Sequence, residues 1–353
     1  MNRKQRRTAA KIGKKSPKAG APIAAADTVV QKAIAGVQAG AFAEAEAALD
    51  EVLALFPDHI EALHQKGMLL ARTDRAEEGV PLLRRAITAR PGEALYWNNL
   101  AAACFTIGQA AEAQKAAAEA VRLDPKYVMA WRNLGMALTD LDRYREAADA
   151  LAKASALAPD DVDILNRLGA AEAELGESLR AEAAFAKAVA LDPRNAECRS
   201  NLGVLLTKRG RAAEALPHLE KAVEIEPERF TTALHFGVAL ALSGDHAKGL
   251  RWLRRATSIK PRSDVAWGAL ADAAIAAGEK QEALDAARRA AGIAPSDQSH
   301  RARLQKLQQS PQSGAQPRPT LIELDLGELP QSSAQGKAPE ADLSTSLDQI
   351  FIR

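Results

Sequence analysis

The side chains best suited to catalysis or metal binding are few in this chain, and they are not grouped. There are six histidines and two cysteines, and neither a His-x-x-x-His nor a Cys-x-x-Cys pair occurs among them. The chain also lacks a Gly-x-Ser-x-Gly motif and a glycine-rich phosphate loop. We therefore expect most of the histidines to be solvated surface residues and Cys104 to be a small buried apolar side chain. No catalytic residue, no metal site and no cofactor is predicted, and the chain is classified as a non-enzyme.

Asparagine and arginine residues form a second set, and their spacing is regular. Asn99 and Asn133 stand 34 residues apart, as do Arg132 and Asn166. An asparagine amide both donates and accepts hydrogen bonds, and an arginine binds a carboxylate through forked hydrogen bonds. A row of such side chains suits the backbone of an extended peptide. In the alternative interpretation, the asparagines are hydrogen-bonded within the scaffold. The predicted peptide-binding residues are Asn98, Asn99, Arg132, Asn133, Asn166, Arg167, Asn201 and Lys208.

The elements that position these residues follow from the same interval. Prolines recur every 34 residues along most of the chain, which chance does not produce when proline makes up about 5% of ordinary sequences. They are Pro57, Pro91, Pro125, Pro159, Pro193, Pro227, Pro261 and Pro295. The interval divides the chain into eight units, which are 26–59, 60–93, 94–127, 128–161, 162–195, 196–229, 230–263 and 264–297.

Each unit shows the pattern of two packed helices. With positions counted from the start of a unit, positions 8 and 20 are always glycine or alanine, and position 27 is alanine in seven units. Small residues at these points allow two helix backbones to approach closely, and large residues at positions 4, 7 and 24 fill the space between them. Position 15 is glycine or aspartate, which suits a turn. The proline at position 32 ends the second helix.

The segment AWRNLGMALTDLDRYREAADALAKASALAP (130–159) carries this pattern most completely, and it resembles the tetratricopeptide repeat (TPR) family. The matching residues are Trp131, Leu134, Gly135, Tyr144, Ala147, Leu151, Ala154 and Pro159. The resemblance implies an all-α fold, a right-handed α-solenoid (a superhelix) of eight helix–turn–helix repeats. In such a fold the first helices line a concave groove and expose positions 2, 5, 6, 9, 12 and 13. The resemblance also implies a protein-binding scaffold or adaptor.

Three asparagines extend this resemblance to the groove. Asn99, Asn133 and Asn201 look like the asparagine ladder in the TPR region of O-linked N-acetylglucosamine transferases. In that family a glycosyltransferase domain follows the repeats, whereas about 44 residues follow residue 309 here. The resemblance therefore implies a similar binding mode without the transferase activity.

The two ends of the chain differ from the repeats in charge. Residues 1–25 contain eight Lys and Arg and no acid, whereas residues 310–353 contain three bases and six acids. We expect a disordered basic arm, a disordered acidic tail and a capping helix at 298–309. The arm is either solvated or in weak contact with nucleic acid or an anionic surface. The apolar motifs of the tail, 320–330 and 347–353, are either solvated or docked in the protein's own groove.

The repeats cover about three-quarters of the chain and decide the predicted function. We interpret the protein as a scaffold that binds a protein or peptide partner as an extended segment in the groove. Two alternatives stay open: an accessory or targeting subunit for an enzyme such as a glycosyltransferase, and an RNA- or ribosome-associated factor acting through the basic arm. No apolar run approaches the roughly 18–20 residues of a membrane helix, and no apolar segment of a signal peptide follows the basic N-terminus. We expect no transmembrane segment and a cytoplasmic location.

Overall fold

A computed structural model describes residues 21–309, and all regular structure within this range is α-helical. The chain divides into two compact units between Leu141 and Asp142. Among the described helices, none combines the length and the apolar character needed to cross a membrane. The predicted arm and tail, apart from residues 21–25, lie outside the described residues.

Unit 1 consists of seven described helices. In chain order they are α1 (Ala21–Gln38), α2 (Phe42–Leu55), α3 (Ile60–Arg72), α4 (Ala76–Ala89), α5 (Ala94–Thr106), α6 (Ala110–Leu123) and α7 (Val128–Thr139). Helices α3 and α4 make the most extensive contact, followed by α5 with α6. An apolar core at the start of the unit includes Val30, Leu49 and Leu69.

Unit 2 consists of ten described helices. They are α8 (Tyr144–Leu157), α9 (Val162–Glu174), α10 (Ser178–Leu191), α11 (Ala196–Lys208), α12 (Ala212–Ile225), α13 (Phe230–Leu242), α14 (His246–Ile259), α15 (Asp264–Ala277), α16 (Lys280–Ile293) and α17 (Gln298–Gln309). Two apolar clusters form its core, one around Phe185 and Leu219 and one around Leu253 and Leu270. The all-α class of helical repeats predicted from the sequence is confirmed in both units.

The turns between paired helices follow the sequence pattern. All eight residues at position 15 adopt the left-handed backbone conformation, with φ between 57° and 92°. Six of them are glycines, for which this conformation costs little, and the other two are Asp74 and Asp142. The second helix of every pair ends two residues before the repeated proline, because the residue before a proline disfavours the helical conformation.

Close packing within each pair depends on matched volumes at positions 8 and 24. A Cβ added to Gly203 would lie 2.5 Å from Leu219 Cγ, and one added to Gly169 would lie 2.7 Å from the Phe185 ring. The glycine therefore makes room for the large side chain. Where position 24 is alanine, as at Ala117, position 8 is alanine as well. The sizes of the residues at positions 8 and 24 thus compensate for each other within one helix pair.

The proline turns between repeats are fixed by side chains that cap the proline carbonyl. The Nε1 atoms of Trp97, Trp131 and Trp267 donate to the carbonyls of Pro91, Pro125 and Pro261 at 2.8–2.9 Å. At three turns where position 4 lacks tryptophan, a cation takes this role. The donors are Arg85 to Pro57, Lys187 to Pro159 and Arg199 to Pro193. In these six turns, a neighbouring side chain satisfies the proline carbonyl as an acceptor.

One boundary differs from the sequence expectation. Helix α1 begins at Ala21, five residues before the predicted first repeat and inside the predicted 1–25 arm. Residues 21–25 read Ala-Pro-Ile-Ala-Ala, and alanine favours helix while proline is well tolerated in a first turn. The repeat interval sets where a full unit begins, but it does not set where its first helix begins.

Candidate functional site

The predicted peptide-binding residues all lie on first helices, four in each unit. Unit 1 holds Asn98 and Asn99 on α5 and Arg132 and Asn133 on α7, and unit 2 holds Asn166, Arg167, Asn201 and Lys208 on α9 and α11. The expectation that these side chains are exposed is wrong for six of them, since Asn98, Asn99, Arg132, Asn133, Asn166 and Asn201 are buried. Arg167 is half-buried, and Lys208 is exposed. Burial is sustainable because the amides hydrogen-bond to one another across neighbouring first helices.

In unit 1 these amides form a directional chain of hydrogen bonds. Asn133 Nδ2 donates to Asn98 Oδ1 at 2.9 Å, and Asn98 Nδ2 donates to Asn99 Oδ1 at 3.3 Å. Asn99 Nδ2 then lies 2.9 Å from His64 Nε2. Because the amide nitrogen is a donor, the imidazole accepts at Nε2 and carries its proton at Nδ1. The chain links α7, α5 and α3.

The chain ends beside a carboxylate on α3. The His64 ring stacks on Tyr96 with centroids 4.2 Å apart, and His64 Nδ1 lies 3.9 Å from Glu61 Oε1. Gln65 and Tyr96 donate to the two oxygens of Glu61, at 2.8 and 3.1 Å. His64 first, then Gln65 and Tyr96, lower the pKa of Glu61 to about 2 against the effect of burial. Glu61 is therefore an ionised acceptor at neutral pH.

Unit 2 repeats the amide pairing with a charged end. Asn201 Nδ2 donates to Asn166 Oδ1 at 2.9 Å, and Asn166 Nδ2 donates to Glu197 Oε1 at 3.0 Å. Arg229 lies 3.7 Å from the other oxygen of Glu197. In both units, the amide at position 6 donates to the side chain at position 5 of the preceding repeat. These asparagines are thus hydrogen-bonded within the scaffold, as the alternative interpretation of the sequence predicts.

Two side chains at position 6 of the unit 2 repeats have a buried polar atom without a hydrogen-bond partner among the described residues. Asn201 Oδ1 and His235 Nδ1 are buried, and no described residue hydrogen-bonds to either atom. His235, on α13, occupies position 6 of the next repeat and is 3% exposed. Burial, and then the charge of Lys208, lower its pKa to about 4, so the ring is neutral at physiological pH. In the same pair of repeats, the hydroxyl of Thr232 donates a hydrogen bond to the hydroxyl of Ser200 at 3.3 Å.

The histidines correct a sequence expectation. His64, His235 and His300 are buried, and the other three are half-buried rather than solvated. His64 and His235 are not among the predicted site residues, although His64 stands at position 5 and His235 at position 6 of their repeats. The signal that identifies them is the repeat register itself, which places them in line with the asparagines.

His300 belongs to a polar cluster that joins α17 to α15. Its Nε2 lies 3.2 Å from Asp264 Oδ2, and its Nδ1 lies 2.8 Å from an Arg303 nitrogen. Asp264, Asp297 and His300 place ligand atoms within 4.8 Å of one another. Both imidazole nitrogens are already engaged, and the neighbouring guanidinium opposes a second cation. The arrangement suits the docking of α17 better than metal binding.

The cysteines are structural. Cys104 is buried, as the sequence predicts, and so is Cys198. Burial raises the pKa of each thiol to about 12. Neither group is ionised at neutral pH, and neither has the character of an activated nucleophile.

Comparisons with known proteins agree with this architecture. Family models described as "Tetratricopeptide repeat" match residues 37–104, 99–162, 137–196 and 175–292, which together cover 37–292 without a gap. No curated protein matches the sequence significantly.

Several solved structures share the fold at low identity. A chain of the APC/C hetero-tetramer Cut9-Hcn1 is 16% identical with a TM-score of 0.59, over 75% of this chain and 52% of that one. A tetratricopeptide repeat protein from Parabacteroides merdae is 16% identical with a TM-score of 0.55, over 69% of this chain and 97% of that one. Pseudomonas aeruginosa PilF is 20% identical with a TM-score of 0.52, over 58% and 93%. The chain spans about half the length of the Cut9-Hcn1 chain, and these likenesses concern the fold alone.

Proposed function

Because the chain belongs to the tetratricopeptide repeat family, a family of protein-interaction scaffolds, we propose that it binds an extended peptide segment of a partner along the first helices of unit 2. The observation that carries this proposal is the buried Asn201 Oδ1, which no described residue satisfies. A buried acceptor without a partner costs about 1–3 kcal/mol. A peptide backbone N–H would remove that cost when it binds.

The chemistry around Asn201 indicates the kind of peptide. Hydrogen bonding to backbone groups is largely independent of the peptide's sequence, so Asn201 gives affinity rather than selectivity. Lys208 on the same helix is exposed and positively charged, and Arg167 forms an ion pair with Asp163 at 2.9 Å. We infer a preference for segments that carry a carboxylate near the bound backbone.

Unit 2 is favoured over unit 1 for a structural reason. In unit 1 the amides of Asn98, Asn99 and Asn133 are engaged in the chain that ends at His64. In unit 2 the corresponding chain leaves one acceptor free at Asn201. Binding at unit 2 therefore satisfies a buried amide acceptor, whereas none of the three unit 1 amides has a buried atom without a partner among the described residues.

A random library of twelve-residue peptides displayed on phage tests the proposal. Peptides enriched on the intact protein are expected to lose about tenfold or more in affinity for Asn201→Ala/Lys208→Ala, since two contacts are removed. The matched control is Lys153→Ala, which removes an exposed lysine of the second helix α8. Equal affinity for both altered proteins, or no enrichment at all, would contradict the proposal. Circular dichroism confirms that the altered proteins keep their helices.

A further inference from the structure

The last repeats of unit 2 carry an excess of positive charge. Residues 246–309 contain twelve Lys and Arg against six Asp and Glu. Helix α14 has four cations and no acid, whereas α12 has three glutamates and one lysine. Among the described residues, six of these cations have no carboxylate within ion-pair distance: Arg251, Lys260, Arg262, Lys280, Arg289 and Arg301.

Three of the six gather at the turn between α14 and α15. The guanidinium of Arg289 lies 4.7 Å from the centre of the Trp267 ring. Trp267 Nε1 in turn donates to the carbonyl of Pro261 at 2.9 Å. Lys260 and Arg262 stand on either side of Pro261 in the chain. Lys260, Arg262 and Arg289 are called the basic cluster below.

Arg289 differs from the cations at the same repeat position elsewhere. Arg85 and Lys187 donate to the carbonyl of a repeated proline. At Pro261 the indole of Trp267 already occupies that carbonyl, and Arg289 stacks on the ring instead. No described residue accepts a hydrogen bond from its guanidinium, so a planar fork of donors is available to a carboxylate.

Apolar surface lies next to this fork. Ile293 follows Arg289 by one helical turn on α16 and is 38% exposed, and Trp267 is half-buried beneath the guanidinium. A ligand suited to both features carries carboxylates and aliphatic side chains close together in its sequence.

One segment of the chain itself has this composition. We propose that the basic cluster binds the acidic segment 320–330 of the same chain. Its sequence, TLIELDLGELP, has Glu323, Asp325 and Glu328 interspersed with Ile322, Leu324 and three further leucines, and no basic residue. The proposal is independent of the peptide-binding site on the first helices.

The connection is long enough and makes the contact intramolecular. Ten residues separate Gln309 from Thr320, and they span up to about 35 Å when extended. Packed helices lie about 8–10 Å apart, so α16 and the turn before α15 are within this reach of the end of α17. A short tether raises the local concentration of the segment to the millimolar range, which compensates for the weakness of surface ion pairs.

A nucleic acid fits the basic cluster less well than this segment does. Glu282 and Asp285 interrupt the positive charge on α16, and α12 is acidic overall, so no continuous basic track follows the second helices. Two aromatic rings contact the basic cluster, and each is covered by a cation: Trp267 by Arg289 and Phe230 by Lys260. Neither covered face is free to stack on a base.

Energy transfer between two dyes on the full chain tests the contact. The dyes are attached to cysteines introduced at Gly292, where a new Cβ meets nothing within 4 Å, and at Ser332. Efficient transfer is expected at about 50 mM salt, with a decrease at about 500 mM because the ion pairs are screened. Arg262→Glu/Arg289→Glu is expected to lower the docked-to-free ratio about fivefold or more. The matched control, Arg145→Glu/Lys153→Glu, reverses two exposed cations of α8 and should leave the ratio unchanged.

A charge swap separates lost docking from lost folding. In the Arg262→Glu/Arg289→Glu background, Glu323→Arg/Asp325→Arg is expected to restore energy transfer. The proposal is overturned if energy transfer does not change with salt, with the Arg262→Glu/Arg289→Glu reversal or with the Glu323→Arg/Asp325→Arg reversal. Low energy transfer in the unaltered chain also overturns the proposal. Binding of a thirty-nucleotide oligothymidine that depends on Arg262 and Arg289 would then assign the basic cluster to nucleic acid instead.

Discussion

At the scale of single residues, burial without a partner has a measurable consequence at His235. The ring is buried on α13, and burial lowers its pKa to about 4, against about 6.5 in an unfolded chain. Between these two values the unfolded state binds more protons than the folded state does. The stabilisation from the neutral ring is therefore complete above about pH 6.5 and is lost as the pH falls toward 4.

This difference predicts a pH dependence that one substitution removes. Between pH 7.5 and 5.5, proton uptake by His235 on unfolding should reduce the free energy of unfolding by about 1.5 kcal/mol. His235→Gln keeps a polar side chain that does not titrate, so its stability should change less over the same interval. Urea unfolding at the two pH values measures both proteins. Parallel pH dependence in the two would show that His235 is not the group responsible.

The amide pairs join neighbouring first helices, and one of them leaves a buried acceptor unbonded. Asn166 and Asn201 join neighbouring first helices, as the scaffold interpretation of the sequence states. The remaining acceptor, Asn201 Oδ1, has no partner among the described residues, and we propose that a peptide N–H donates to it. Residue type and spacing alone do not distinguish these roles, because the difference lies in which atoms of the amide are already bonded.

At the scale of the helices, α17 is held by a buried ion pair as well as by apolar packing. Arg303 donates through Nε and Nη2 to the two oxygens of Asp272 on α15, at 2.7 and 2.9 Å. Leu304 and Leu307 pack on the same apolar cluster. Burial raises the pKa of Asp272, and Arg303 counteracts this effect. Removing Arg303 alone would leave a buried carboxylate without its counter-charge.

We therefore expect Arg303→Ala to destabilise the docking of α17 by about 3–5 kcal/mol. Hydrogen exchange of the amides in residues 298–309 measures this loss. Arg301→Ala is the matched control, since Arg301 is exposed and reaches only backbone carbonyls of Ser296 and Asp297. Replacing both partners, as Asp272→Leu/Arg303→Leu, should recover much of the protection. Equal exchange in the Arg303 and Arg301 variants would show that α17 is held by apolar contacts alone.

The helices were largely predictable from sequence, whereas the exposure of their side chains was not. The 34-residue interval predicts the paired helices, the left-handed turns at position 15 and the ends of the second helices, because each depends on local backbone chemistry. The burial of Asn133 or His64 depends on how neighbouring repeats pair their polar atoms. Such pairs join residues 35 apart in the chain, and the pattern within one repeat does not reveal them.

At the scale of the whole molecule, stability is expected to be distributed along the repeats rather than shared by the entire chain. Among the described helices of each unit, substantial contacts join a helix only to the next one or the next but one. A helical array built this way behaves approximately as a line of units coupled to their neighbours. A destabilising substitution should therefore lower stability mainly in the helices next to it.

Gly203→Ala is such a destabilising substitution. Its new Cβ would lie 2.5 Å from Leu219 Cγ inside the α11–α12 pair, and overpacking of this kind costs about 1–3 kcal/mol. Hydrogen exchange should accelerate most in α11, α12 and the adjoining α10 and α13, and least in α16. Gly292→Ala is the matched control, because its added Cβ meets nothing within 4 Å and alanine favours helix over glycine. If exchange instead accelerated uniformly from α8 to α17, unit 2 would have to unfold as one cooperative body, and nearest-neighbour coupling would not describe it.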